Sequence, residues 1–297
     1  MCYISSANPN NFFIHRLIRI VPPYWVATLG VYFIARIAPT FLKSTTARTD
    51  FLLKSLFFIP YTRESGGTFP VLFLGWTLEY EIFFYMLFAL ALIVTTRWAS
   101  LLTVGQLVTV AVLGLLMRPH SVLFHFFSRP IILEFAFGVV AFWIWTRKIH
   151  IINALPVFLG IMGVFICYIL LVVTDREAPG HFSSHLPAFL LLGIPAFALL
   201  LFSLSLENKV KFPIWLLSLG DASFSLYLLH PYIIQLVNMK FISFGYATPT
   251  SIIALILTIG ICFLVATLSY RVFERPLNDF LKKSLLRTAG RQVFDSR

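Results

Sequence analysis

Residues 73–95 read Phe-Leu-Gly-Trp-Thr-Leu-Glu-Tyr-Glu-Ile-Phe-Phe-Tyr-Met-Leu-Phe-Ala-Leu-Ala-Leu-Ile-Val-Thr. The hydrocarbon core of a bilayer takes about 20 predominantly apolar residues in helical form. This stretch meets that length with two carboxylates, Glu79 and Glu81, both toward one end. Working outward, comparable runs lie near 20–38, 100–117, 131–146, 154–174, 187–206, 216–238 and 250–272. They predict an all-α fold, a polytopic transmembrane helix bundle of about eight spans. The run from Phe51 to Ile59 is too short to cross and is expected at the interface or dipping into the protein.

The composition points the same way. Of 297 residues, 59% are hydrophobic and 12% charged, against roughly 25% charged in soluble proteins. The mean hydropathy is +0.88. A water-soluble enzyme, a disordered chain and a disulfide-stapled secreted domain are excluded. The net charge of +11 sits in short gaps between apolar runs, which reads as topology and contact with anionic membrane lipid, not as nucleic-acid binding. Cys2, Cys167 and Cys262 stand alone, so neither a disulfide framework nor a metal site is indicated.

Placing the segment before the first span in the cytoplasm puts most Lys and Arg on the inner face, among them Arg16, Arg19, Arg97, Arg147 and the group after Arg271. An even number of spans then makes the C-terminus cytoplasmic, in an inner (plasma) membrane of bacterial type. Met1 to Asn11 lacks the charged and apolar parts of a signal peptide. The expected division is a membrane domain over 1–276 and a basic tail over 277–297, resting on the inner leaflet.

Polar residues at membrane depth are costly, so each one is a functional candidate. Thr77, Glu81 and Tyr85 recur at i, i+4 and i+8 and share one helix face. Glu79 points nearly the opposite way, since two residues turn a helix by about 200°, and is expected to snorkel from the outer end. Glu81 reads as a member of an internal polar site, or as a carboxylate paired with a base for assembly. Ser223, Tyr227 and His230 share a second face. Pro231 is expected to break the helix at His230 and expose a cavity wall, with an interfacial Tyr/His belt as the plainer alternative.

Arg16 and Arg19 lie at i and i+3 just ahead of the first span. Paired guanidinium forks suit phosphate groups, although on these residues alone a positive anchor beside a Tyr24-Trp25 belt is the better account. Glu134 follows Pro130 at a helix start, where the dipole favours it. Glu274 opposes the dipole at the end of the last span and calls for a basic partner, Arg271 at i−3 or one elsewhere. His181 and His185 have ligand-like spacing but no carboxylate to complete a metal site. His120, His125 and His150 read as solvated.

In order along the chain, these segments resemble the acyltransferase 3 family of integral-membrane O-acyltransferases, most closely its exopolysaccharide-production branch. The resemblance rests on Arg-x-x-Arg-Ile-x-Pro-x-Tyr-Trp at 16–25, Gly-Trp-Thr-Leu-x-x-Glu-x-Phe-Phe-Tyr at 75–85 and Arg-Pro-x-x-Leu-Glu-Phe-x-x-Gly at 129–138. It continues with Ser-x-Tyr-Leu-x-His-Pro at 225–231 and Glu-x-Pro at 274–276. It implies transfer of an acyl group, usually acetyl, from cytoplasmic acyl-CoA (acetyl-CoA) to a hydroxyl of a cell-envelope glycan or a lipid-linked sugar acceptor.

By position, the resemblance gives Arg16 and Arg19 the CoA phosphates. It also implies that Glu81 and His230 line the acyl-transfer cavity, and the helix face that Tyr85 shares with Glu81 makes Tyr85 a candidate donor to the oxyanion. The family carries a basic-x10-His element on a first span, whose histidine is taken as the catalytic base, and the present chain starts where the loop after a second span would lie. His15 has no basic residue ten positions upstream and does not replace that element. An inactive truncated relative or assembly partner, and a transporter of a lipid-linked sugar, are the rival readings.

Overall fold

The computed structural model describes residues 9–39, 42, 45–64, 66–117, 120–147, 158–163, 165–166, 188–206, 210–243, 252–281 and 283. Its helices are α1 (Pro9–Ile37), α2 (Thr49–Leu56), α3 (Gly75–Val94), α4 (Ala99–Met117), α5 (Val122–Phe127), α6 (Glu134–Thr146), α7 (Ala188–Leu206), α8 (Ile214–Asp221), α9 (Ser223–Ser243) and α10 (Ile252–Ser269). A 3₁₀ turn, Pro130–Leu133, leads into α6, and a π turn, Tyr270–Glu274, follows α10. Among the described residues there is no strand, only one antiparallel bridge between Thr62 and Thr68.

Four helical stretches among the described residues are long and apolar enough to cross a membrane: Phe12–Ile37, Gly75–Val94, Ala99–Met117 and Ala254–Leu281. The runs expected near 131–146 and 187–206 form shorter apolar helices, Pro130–Thr146 and Gly193–Leu206. The run expected near 216–238 is divided at Ala222 between α8 and α9. The run expected near 154–174 falls largely outside the described residues, as do His150, His181 and His185. Large apolar side chains such as Leu115, Leu116, Ile256 and Leu264 are exposed along α4 and α10, as helices facing lipid tails require.

The chain forms two compact units, one from residues 1–85 and 212–297, the other from residues 86–211. In the second, α6 packs on α7 and the 3₁₀ turn packs on α4. Trp143 Nε1 donates to Ser100 Oγ at 3.0 Å. Glu134 opens α6, where the positive end of the helix dipole favours a carboxylate.

The first unit is built around a core that includes Ile20, Tyr24, Val31, Leu72, Leu78, Ile82, Tyr85 and Leu228. The short 51–59 run appears as α2, with Phe51 and Ser55 buried and Leu53 and Phe57 exposed. Its last carbonyls have no intrahelical donors, and α1 supplies them. Tyr24 donates its hydroxyl to Ser55 O at 3.0 Å and Trp25 Nε1 donates to Leu56 O at 2.8 Å. Tyr24 is therefore no interfacial belt residue; it is fully buried beneath α2. Gly75 makes this possible, since a Cβ there would stand 2.7 Å from Tyr24 Cε2 and 2.9 Å from Pro70 Cγ.

Four expectations are corrected. The first span does not begin near residue 20: α1 already contains Arg16 and Arg19, and it carries Pro22 and Pro23 inside it. Glu79 does not snorkel; it is 1% exposed, and neither of its carboxyl oxygens has a hydrogen-bond partner among the described residues. The helix is not broken at His230, because α9 runs through Pro231 to Ser243. The last helix does not stop near residue 272 but continues through Pro276 to Leu281. A proline at 276 takes the donor from the Val272 carbonyl and crowds it, and the wider π turn just before it absorbs the mismatch.

Candidate functional site

All side chains of the site belong to the unit formed by residues 1–85 and 212–297. The i, i+4 repeat on α3 places Tyr85 one turn beyond Glu81, and the Tyr85 hydroxyl donates to the Glu81 carboxylate. A phenol held by a carboxylate fixes both groups and concentrates negative charge on one face of α3. The Arg16 guanidinium of α1 lies over the Tyr85 ring, 5.6 Å from its centroid, and over the Phe12 ring at 5.8 Å. Phe12 and Tyr85 meet edge to face at 5.9 Å. Arg16 is thus set against an aromatic pair, a cation–π contact that restrains its guanidinium. The half-buried guanidinium stands beside the tyrosine that binds Glu81.

Tyr227 of α9 joins this group from the other side. Its hydroxyl is 2.5 Å from Thr77 Oγ1 and donates to Leu74 O at 3.2 Å. Thr77 stands one turn before Glu81 on the same face of α3. Along α9, the rings of Tyr227 and His230 lie 6.3 Å apart. Arg16, Tyr85 and Glu81 thus meet across α1 and α3, and the contact between Thr77 and Tyr227 joins that face of α3 to Tyr227 and His230 of α9. Tyr227 and His230 also line a cavity of about 560 Å³ with Ser223 and Asn238 of α9 and Thr258 and Phe263 of α10. The Ser223, Tyr227 and His230 face read from the spacing is the face that this cavity occupies.

Arg19 is placed elsewhere. It is exposed on α1. Glu274 is 3% exposed and accepts the Ser225 hydroxyl at 2.6 Å. Its hydroxyl partner comes from the Ser-x-Tyr-Leu-x-His-Pro segment. Two motifs far apart in sequence thus form one contact. Spacing alone gave no sign of it, because helical periodicity reports only neighbours on the same helix. Likewise, the bridging position of Tyr227 could be read only as a shared face with His230.

Chemically, these residues offer a phenol donor, a carboxylate, an imidazole and a guanidinium, with an apolar cavity beside the imidazole. No group of three or more His, Cys, Asp or Glu side chains that could hold a metal occurs among the described residues.

Comparison with known proteins gives the chemistry a family. The acyltransferase 3 sequence profile, described as an acyltransferase domain, matches residues 5–267. The chain is also similar to the exopolysaccharide production protein ExoZ of Rhizobium meliloti (strain 1021), at 30% identity over 275 residues, 92% of this chain and 82% of that protein. No solved structure matches. With its apolar helices and a profile match across most of its length, the chain is an integral-membrane acyltransferase and belongs to the acyltransferase 3 family.

Proposed function

We propose that this protein transfers an acyl group, acetyl being the expected one, from acyl-CoA to a hydroxyl of an exopolysaccharide or its lipid-linked precursor. The likeness to an exopolysaccharide production protein supports the acceptor class. The observation that supports the reaction is that Arg16, Tyr85 and Glu81 meet across α1 and α3, and that Thr77, one turn before Glu81, bonds Tyr227 on the helix face that carries His230. A site for acyl transfer needs a cation for the donor's phosphates, a base for the acceptor hydroxyl and a donor for the developing oxyanion.

A general base takes the proton of the acceptor hydroxyl, with His230 on the wall of the cavity. The hydroxyl oxygen attacks the thioester carbonyl, the C–S bond breaks, and the departing thiolate recovers the proton as the free thiol. Glu81 orients the acceptor, Tyr85 donates to the oxyanion, and Arg16, with Arg19, meets the CoA phosphates. Donor entry is from the cytoplasmic face of an inner membrane. The unbroken α9 removes the discontinuous helix on which a transport reading rested.

The test is transfer of radiolabelled acetyl from acetyl-CoA to polysaccharide in membrane vesicles carrying the protein. Glu81→Gln and Tyr85→Phe are each expected to lower the rate by roughly 10²-fold or more. Full labelling in both variants removes these residues from the chemistry.

A further inference from the structure

His230 and Pro231 are neighbours, and the backbone around them has an unusual hydrogen-bond arrangement. In a regular helix the N–H of residue 231 would bond to the carbonyl of Tyr227. A proline has no N–H, so it frees that carbonyl. At membrane depth a freed carbonyl needs another donor. The donor here is the residue immediately before the proline: His230 Nδ1 lies 3.0 Å from Tyr227 O and 3.1 Å from Leu226 O. A carbonyl oxygen only accepts, so Nδ1 must carry the proton. The neutral ring then has its lone pair on Nε2. His230 itself lines the 560 Å³ cavity between α9 and α10.

We infer that Pro231 is a positioning residue: by freeing the Tyr227 carbonyl it locks His230 in the Nδ1–H form, so that the Nε2 lone pair is the one presented to the cavity. The inference deepens the acyl-transfer reading and rests on it for the role of Nε2. The placement of the proton itself does not depend on that reading. The proline serves the imidazole rather than the helix. It removes a helix hydrogen bond and crowds the preceding turn, while holding one ring tautomer and one ring orientation.

Pro231→Ala restores an N–H aimed at Tyr227 O, which then competes with Nδ1. The helix gains stability and the imidazole loses its lock. The first measurement is ¹⁵N NMR of histidine-labelled protein in lipid nanodiscs, at a pH where His230 is neutral. In the native protein Nε2 is expected to be the unprotonated nitrogen, and in Pro231→Ala the Nε2–H form is expected to appear. The second measurement is acetyl transfer. Pro231→Ala is expected to lower kcat about tenfold, with KM for acetyl-CoA unchanged and the melting temperature unchanged or raised.

Pro195→Ala, a proline removed from inside α7 where no histidine precedes it, should leave kcat unchanged. An Nε2–H signal in the native protein overturns the inference, as does a Pro231→Ala variant with native kcat beside an inactive His230→Gln. A native Nδ1–H signal with full activity in His230→Gln leaves the proton placement standing and removes His230 from the acyl-transfer reading.

Discussion

The Ser225 hydroxyl on α9 donates to the Glu274 carboxylate at 2.6 Å, although 49 positions separate the two in sequence. Both side chains are buried, at 3% exposure each. The contact ties α9 to the π turn that follows α10. Ser225→Ala strips a buried carboxylate of its hydroxyl donor, and such a loss costs about 1–3 kcal/mol. The expected outcome is a lower melting temperature in detergent. An unchanged midpoint would show that the hydroxyl contributes nothing to the helix pairing.

The Arg16 guanidinium stands 5.6 Å from the Tyr85 ring centroid and 5.8 Å from that of Phe12, and its planar fork is a shape that a lysine ammonium does not reproduce. Arg16→Lys keeps the charge and loses the fork. KM for acetyl-CoA is expected to rise roughly tenfold, the size of about 1.4 kcal/mol of lost binding, with a smaller change in kcat. Steady-state kinetics with varied acetyl-CoA check this, and a change confined to kcat would place Arg16 away from the donor.

Glu79 has no hydrogen-bond partner among the described residues for either carboxyl oxygen and is 1% exposed. Burying a polar group without a partner costs about 1–3 kcal/mol by mutational measures. Glu79→Met, of similar volume, is expected to raise the thermal midpoint while leaving acetyl transfer intact. A fall in the midpoint would mean that the carboxyl is satisfied in the membrane.

Gly75 faces the Tyr24 ring, with a Cβ 2.7 Å from Cε2. That ring is fully buried and holds α2 through Ser55 O, so it cannot withdraw without breaking the hydrogen bond. Gly75→Ala is therefore expected to destabilise by about 1–3 kcal/mol, the usual cost of overpacking. Thermal unfolding followed by tryptophan fluorescence measures it, and Trp25, bonded to Leu56 O, reports on the α1–α2 contact directly.

Arg48 grips Asp50 at 3.0 and 3.1 Å and Glu64 at 2.8 Å, clipping the start of α2 to the turn after Tyr61. The Arg48 hydrogen bonds hold the Asp50 carboxyl below its ordinary value of 3.8. The clip therefore contributes fully above that value and is lost as pH falls through the depressed one. Proteolysis of the 45–64 segment should accelerate only in strong acid. The pair is exposed, so the effect is small and screened by salt. Arg48→Ala should remove the acid dependence, and its persistence would assign the effect to another group.

Much of this protein was legible in one dimension. The length of apolar runs gave an all-helical membrane fold, since a helix is the element that satisfies its own backbone in lipid. The i, i+4 rule placed Glu81 with Tyr85 and Tyr227 near His230, because those pairs are set by 3.6 residues per turn. The same rule misjudged Glu79. It showed correctly that Glu79 faces away from Glu81, but which side of α3 is covered depends on what packs there.

Three relationships were decided only by the assembled helices: Arg16 on Tyr85, Ser225 on Glu274, and Tyr24 beneath α2. Each joins residues from different helices, and no periodicity within one helix encodes which of its faces a neighbour will meet. The continuity of α9 through Pro231 belongs with them. The proline by itself argues for a break, and the helix persists because the adjacent imidazole turns inward to bond the carbonyl that the proline frees.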